Sequence, residues 1–387
     1  MTQHQANNQF DPAAVKPLPV LRAMIDALDR EVLQLLARRN GLVAQVAQYK
    51  REHTVPIRDF EREREILADR AARAVPLGLS PEVIENMYRL ILWASRDRQA
   101  ALKAEVPLDV EPRTIAIIGG QGQMGQCLAR MFGDLGHAVM LADVNTRLTP
   151  QEAASVADVV VISVPIDRTI EVIGKLGPVV REDALLMDVT SIKQGPLQAM
   201  LDACRGSVIG THPLFGPTVH SLQGQRMVVT PGRGDAWLEW LRQMLHARGL
   251  DVLETTADKH DRAMAVVQVL VHFSTEVMGR TLSKLGVSIH ETLKFTSPIY
   301  LMELLMTARH FGQSPDLYAA IQMSNTETAA VTQAFVEAAQ NQREAVVAGD
   351  REAFKALFDE VRELFDTFTT QAMEQSDFLI DRLVERT

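Results

Sequence analysis

Three glycines at 120, 122 and 125 stand at the spacing that a bound pyrophosphate requires. Gly120-Gln121-Gly122-Gln123-Met124-Gly125 reads G-x-G-x-x-G and follows at once on Ile115-Ala116-Ile117-Ile118, an apolar, branched run with the character of a buried parallel strand. Gly120 would let the chain turn, Gly122 would let the backbone approach the phosphates, and Gly125 would let the next helix pack on the strand. The N-terminus of that helix, at Gln123 and Met124, then faces the anion. A second strand over 137–142 ends on Asp143, at the separation where a carboxylate reaches the adenosine ribose 2'-hydroxyl. The same carboxylate would repel a 2'-phosphate, so the expected cofactor is NAD.

Further strands are expected at 158–164, 184–188, 207–210 and 226–230, alternating at first with helices. Each of the first three is followed by residues with chemistry to offer. They are Ser163-Val164-Pro165-Ile166, then Asp188-Val189-Thr190-Ser191-Ile192-Lys193, then Thr211-His212-Pro213-Leu214-Phe215-Gly216-Pro217. In a doubly wound sheet the carboxyl ends of the strands line one crevice, so these segments should meet around the nicotinamide. Val164 and Pro165 would line the cofactor, and Ser163 and Lys193 would support hydroxyl and carboxylate contacts of a substrate. His212, on a turn stiffened by two prolines, is either a structural hydrogen-bonder or a general base. In the expected helix over 257–284, His260, Met264, Gln268 and His272 lie four apart on one face, either as a buried polar stripe or as part of a site.

The N-terminal part carries a different pattern. Leu21, Ile25, Leu28, Val32, Leu35, Leu42, Val46 and Tyr49 recur at steps of three and four, with Arg39 in the place an apolar residue should hold. Burying an unpaired charge costs on the order of several kcal/mol, so Arg39 must meet an acidic neighbour or an anionic ligand. Arg22 lies near the start of this long helix and Lys50 near its end, before Pro56 breaks it. The run Arg58 to Glu65, containing Asp59, Arg62 and Glu63, reads blindly as a solvated charged face. Ser80 and Pro81 announce a third helix, with Ser95 and Gln99 on the border of its apolar stripe. Three helices with cations and small polar groups at the seam can hold a small dianion.

These residues match a known pattern. Residues 20–103 resemble the all-helical chorismate mutase domain, and the strand-end motifs closing on His212-Pro213-Leu214-Phe215-Gly216-Pro217 resemble prephenate dehydrogenase. Together, from about residue 20 to the C-terminus, the chain is similar to the family in which the two enzymes are fused. The resemblance implies that Arg22, Arg39, Lys50, Asp59, Arg62, Glu63, Ser95 and Gln99 bind chorismate, with Arg22 entering the partner subunit's site. Lys50 and Gln99 would face the ether oxygen that breaks. It implies that His212 is the base of the second reaction, that His260, Gln268 and His272 lie beside its substrate, and that Arg309 binds a prephenate carboxylate. It also implies a homodimer and feedback inhibition by tyrosine. Leu301 departs from the family, which is expected to carry a basic residue after Tyr300, so a secondary anion or inhibitor contact is in doubt. The alternative is a dehydrogenase of arogenate or another hydroxy acid with a non-catalytic helical dimerisation or effector module.

The elements that must position these residues form a multi-domain chain. A tail over 1–17, rich in Gln and Asn, precedes an all-α N-terminal domain of three helices over 18–104. A stiff linker over 105–112 then leads to an α/β Rossmann domain over 113–234 and an all-α C-terminal dimerisation domain over 235–387. The last has expected helices at 235–248, 257–284, 289–310, 315–322, 325–347 and 351–385. A net charge of −9 argues against nucleic acid as a partner, although residues 20–103 hold 15 Lys and Arg against 12 Asp and Glu. Two cysteines suggest no disulfide framework, no apolar run spans a bilayer, and the N-terminus lacks the order of a signal peptide, so the chain reads as cytoplasmic. No metal is expected at either site.

Overall fold

The computed structural model describes residues 16–53, 55–102, 111–219 and 221–384. Most of the expected tail and linker lies outside them. The chain divides into two units, one built on the helices before residue 110 and the other on the sheet and all helices from 257 onward.

In the first unit α1 (Leu18–Glu52) starts behind Pro17 and stops just before the Val55-Pro56 step, with Lys50 and Arg51 in its last turn complementing the helix dipole. The side chain of Asp59 accepts the Arg62 N–H and caps α2 (Phe60–Ala74). Ser80 caps α3 (Pro81–Ala101) with Pro81 at its first turn, as the sequence predicts. Val43, Ala47, Ile57, Leu67, Ala74 and Leu92 make a small core. Most of the α1 stripe stays outside it, with Leu28 60% and Leu35 61% exposed.

The second unit is a seven-stranded sheet of order β2-β1-β3-β4-β5-β6-β7. Its strands are β1 (Thr114–Ile118), β2 (Ala138–Ala142), β3 (Val159–Ile162), β4 (Leu185–Asp188), β5 (Ser207–Pro213), β6 (Arg226–Arg233) and β7 (Asp251–Glu254). The first five run parallel, β6 is antiparallel to β5, and β7 is parallel to β6. Val159-Val160-Val161-Ile162 and Leu185-Leu186-Met187 are fully or almost fully buried, as strands covered on both faces must be. The covering helices are α4 (Gln123–Asp134), α5 (Pro150–Val156), α6 (Ile166–Leu176), α7 (Gln194–Ala203) and α8 (Asp235–Ala247).

The α/β boundary expected at 234 falls inside this sheet, because β7 pairs with β6 and carries the sheet on to Glu254. Asp251-Val252-Leu253-Glu254 has no apolar run to announce it and exists through its ladder to β6. The expected helix 257–284 is α9 (Ala257–Met264), a π-helical segment Ala265–Leu270, and α10 (Val271–Lys284). The expected 289–310 helix is two, α11 (Ile289–Leu293) and α12 (Pro298–Phe311), because Ser297 and Pro298 begin a new one. Then follow α13 (Pro315–Ser324), α14 (Thr328–Ala348), α15 (Arg351–Phe365) and α16 (Phe368–Val384). The last two replace a single expected helix because Asp366, at φ 36°, breaks it. No described helix is long and apolar enough to cross a membrane.

Candidate active sites

The glycine turn is closed to a side chain at Gly119, Gly120 and Gly125, and a Cβ on Gly122 would meet only the Gly119 oxygen, at 3.3 Å. Gly119, not Gly120, adopts the left-handed backbone, at φ 82°, and a Cβ there would stand 2.3 Å from the Ser163 carbonyl oxygen. A Cβ on Gly120 would stand 3.0 Å from Cα of Leu141, so this glycine serves close packing of the turn on β2 rather than the turn itself. A Cβ on Gly125 would come within 2.6 Å of the Gly119 oxygen, so this glycine lets α4 press against the turn itself, where the expectation was packing on the strand. Gly122 precedes α4 with no side-chain cap, leaving the first amides at Gln123 and Met124 to a ligand. Asp143 closes β2 and accepts the Gln121 N–H at 3.1 Å, so its carboxylate sits at the rim of the same turn. Val164 and Pro165 follow β3 beside Gly119, and the Ser163 N–H is bonded to the Ile118 oxygen at 2.8 Å. Glycines that admit no side chain, uncapped amides and a rim carboxylate fit the adenosine and pyrophosphate of NAD. The Ser163 backbone abuts this turn.

The carboxyl end of β5 holds a second constellation. His212 is 3% exposed, and its Nδ1 lies 2.9 Å from Nε2 of His260. His260, only 2% exposed, places Nδ1 2.7 Å from Oδ1 of Asp261. Asp261 in turn accepts the N–H groups of Lys193 and Gln194, at 2.8 and 2.9 Å, where α7 begins. On its other side Nε2 of His212 is 3.3 Å from the Gln268 amide nitrogen, while the Gln268 amide oxygen is buried without a partner. Burial, then the neighbouring His260 and Lys193, hold the His212 imidazole well below its usual pKa. It is neutral at neutral pH and available as a base.

Three expectations for this site change. Lys193 does not face a substrate: it is fully buried, ion-paired to Asp188, and donates to the Thr211 oxygen at 2.7 Å. Burying an ammonium costs too much without its carboxylate, and Asp188 on the neighbouring strand end supplies one. His260 lies behind His212 rather than beside the substrate. The π turn, with its extra residue, breaks the four-residue stacking expected across His260, Met264, Gln268 and His272. His260 and Gln268 meet His212, Met264 enters the core, and His272 goes elsewhere, its ring 4.7 Å from Tyr318 and 5.4 Å from His310. Arg309 is exposed at the end of α12; burial raises the pKa of the Tyr318 hydroxyl, and the Arg309 charge opposes that rise. Leu301 lies half-buried on α12, after Tyr300, whose hydroxyl donates to Thr292.

In the helical unit, Arg39 crosses from α1 to donate to the Ser95 hydroxyl, and Ser95 donates to the Ile91 oxygen at 2.6 Å. Among the described residues no carboxylate pairs with Arg39, so the acidic-neighbour alternative is not realised. Gln99 is buried with its amide nitrogen on the Ser95 oxygen at 3.2 Å and its own oxygen unpartnered. Lys50 donates to the Pro56 and Ile57 oxygens at 2.8 and 2.6 Å, and burial lowers its pKa against the pull of Asp59 and Glu63. Glu63 pairs with Arg96 and, at 3.5 Å, with Arg58. Asp59 is spent as the α2 cap and Arg62 turns to Glu65 at 2.9 Å on an exposed face. Arg22 is exposed. The structure thus joins Arg39, Ser95 and Gln99, leaves Lys50 near Asp59 and Glu63, and keeps Arg22 and Arg62 apart from them.

Sequence reasoning passed over Gly119, Asp261 and Arg96, and named Asp188 without its role as the partner of Lys193. The adjacent pairs Gly119-Gly120 and His260-Asp261 were signals for two of them, whereas Arg96 lies 33 residues from its partner Glu63 and gives none.

Comparison with known proteins identifies the family. Residues 21–100 match the model of chorismate mutase type II, 123–254 that of the prephenate dehydrogenase nucleotide-binding domain, and 256–360 that of the prephenate dehydrogenase dimerization domain. The T-protein of Haemophilus influenzae is 35% identical over 95% of this chain and 97% of its own length. The chain belongs to the T-protein family. A second T-protein, from Enterobacter agglomerans, is 36% identical over 95% of this chain and 98% of its own. The prephenate dehydrogenase of Aquifex aeolicus, solved with hydroxyphenyl propionate and NAD+, shares the fold at a TM-score of 0.55 and 19% identity, covering 69% of this chain and 99% of that one. As a family member the chain is a bifunctional enzyme of tyrosine biosynthesis, a chorismate mutase joined to an NAD-dependent prephenate dehydrogenase.

Proposed function

We propose that the chain rearranges chorismate to prephenate at Arg39, Lys50, Ser95 and Gln99, and oxidises prephenate to 4-hydroxyphenylpyruvate and carbon dioxide with His212 as base. The observation that carries the first assignment is Arg39, a half-buried guanidinium held by Ser95 with no carboxylate among the described residues to neutralise it. A dianion supplies that charge. The rearrangement is pericyclic and needs no proton transfer, so Lys50 and Gln99 act by stabilising the charge that grows on the ether oxygen. The orphaned Gln99 oxygen fits a group that awaits a ligand. Arg22 is proposed to act in the partner's site of a homodimer: it lies 17 residues before Arg39 on one helix, about 25 Å away at 1.5 Å per residue, so it cannot close the site of its own chain.

In the second reaction His212 Nε2 takes the proton of the ring hydroxyl as the carbinol carbon loses its hydride. NAD, when bound, accepts that hydride. The bond to the ring carboxylate then breaks, releasing carbon dioxide and leaving its electron pair to restore aromaticity. Gln268, whose amide nitrogen lies 3.3 Å from His212 Nε2, is proposed to hold the hydroxyl against His212, and Arg309 is proposed to meet a prephenate carboxylate. Tyrosine is proposed as a feedback inhibitor and the cytoplasm as the location, both resting on the sequence resemblance and composition. The alternative of a non-catalytic helical module acting beside an arogenate dehydrogenase is disfavoured by the unpaired Arg39.

Two variants separate the activities. Arg39→Ala should abolish chorismate consumption measured without NAD, and leave NADH formation from supplied prephenate intact. His212→Asn should do the reverse, cutting NADH formation by at least about 100-fold, the scale of a lost general base. Loss of both activities in both variants, or turnover retained where loss is expected, would remove the assignment.

A further inference from the structure

The hydrogen bonds behind His212 fix which of its nitrogens carries the proton. Asp261 is spent as an acceptor: Oδ1 takes the Lys193 N–H and Oδ2 the Gln194 N–H, at the amino end of a ten-residue helix whose dipole favours the carboxylate. These bonds and the His260 contact hold Asp261 ionised, below the usual carboxyl range, against the opposing effect of burial. An ionised carboxylate only accepts, so His260 Nδ1, at 2.7 Å, must be the donor. A neutral His260 then has a lone pair on Nε2. Its neighbour at 2.9 Å, Nδ1 of His212, must be protonated, and this leaves Nε2 of His212 bare toward Gln268.

We propose that Asp261, acting through His260, locks His212 in the tautomer whose Nε2 is the base of the dehydrogenase, making both residues positioning residues for that reaction. The inference rests on the reading of His212 as the base. It extends that reading by assigning two residues outside the substrate's reach. Once His212 has taken a proton, the Nδ1–H bond to His260 lets the positive charge spread toward the Asp261 carboxylate. The other charges facing His212 are Lys193 and its partner Asp188, a pair internally neutralised. The arrangement has the logic of a Ser-His-Asp triad, in which the carboxylate orients an imidazole and stabilises the imidazolium. Here a second imidazole stands between the carboxylate and the base.

The test is Asp261→Asn in the full-length chain. The amide keeps an oxygen for a backbone N–H but can present its NH2 to His260 Nδ1, which reverses both histidines. NADH formation should fall by about 100-fold or more in kcat, with KM for prephenate and for NAD within about threefold, since removing the orienting carboxylate of a triad acts on kcat through the tautomer. The second readout is the 15N resonances of His212 in the ligand-free protein at neutral pH. The wild type should show protonated Nδ1 and bare Nε2, and the variant the opposite. A wild-type His212 protonated on Nε2, or a variant that keeps the wild-type tautomer or wild-type kcat, overturns the relay. The wild-type spectrum decides the matter even if Asp261→Asn fails to fold. Failure of the base reading is distinguishable, because it appears as NADH formation retained in His212→Asn.

Discussion

At the scale of single residues, burial decides what each ionisable group can do. His212 and Lys193 are both excluded from water at the end of the sheet, yet they have opposite fates. Lys193 has Asp188 beside it and becomes structure. His212 has only neutral or cationic neighbours in contact and stays uncharged, which is what a base requires. This has a consequence for pH. The acidic limb of kcat/KM for prephenate, where the free enzyme's base is protonated, should lie well below 6.5, the ordinary histidine value, and a limb at or above 6.5 would contradict the environment described. The sign for stability follows from the same depression. Below about pH 6.5 the unfolded chain protonates this histidine and the folded chain does not. The contribution of His212 to stability is therefore complete above that pH and falls as the pH is lowered toward the depressed folded value.

At the scale of elements, two local departures from regular structure build the dehydrogenase site. One is the turn between β1 and α4, where the backbone, not any side chain, makes the cofactor cradle. Gly125→Ala would drive a methyl to 2.6 Å from the Gly119 oxygen, a clash with backbone that cannot rotate away. Overpacking of this kind costs about 1–3 kcal/mol. We expect NAD affinity, measured by titration of nucleotide fluorescence, to weaken by tenfold or more, with chorismate consumption unchanged. The other departure is the π segment Ala265–Leu270, which lets His260 and Gln268 approach His212 from two sides while His272 joins the His310 and Tyr318 rings. A regular helix would have stacked all four expected positions on one line.

At the scale of the whole molecule, the exposed stripe of α1 is an unfinished surface of the helical unit. Ile25, Leu28, Leu35 and Leu42 are each more than half exposed along one helix, far more apolar surface than a soluble helix leaves to water. A second copy covering it would also bring Arg22 into a site that its own chain cannot reach. Leu35→Glu in the full chain should therefore lower the assembly state measured by analytical ultracentrifugation or lower chorismate turnover at least tenfold, and wild-type assembly with wild-type turnover would refute the role of this face. The amino-acid sequence by itself determined the order of the domains, the strands β1 to β6, the glycine cradle with Asp143, and His212, because each is written in short-range spacing or in a run of one residue type. Arg39 was legible as a charge out of place. What completed it was not: Ser95 is 56 residues away, and only the packing of α3 on α1 sets Arg39 on a hydroxyl instead of a carboxylate. The same holds for β7, which has no periodicity and exists through its neighbour, and for the His212, His260 and Asp261 chain, which spans two elements 48 residues apart. Hydrogen bonds of this length depend on orientation to a fraction of an ångström. Spacing in the chain names the groups that can react, and only the tertiary structure fixes which nitrogen faces which oxygen.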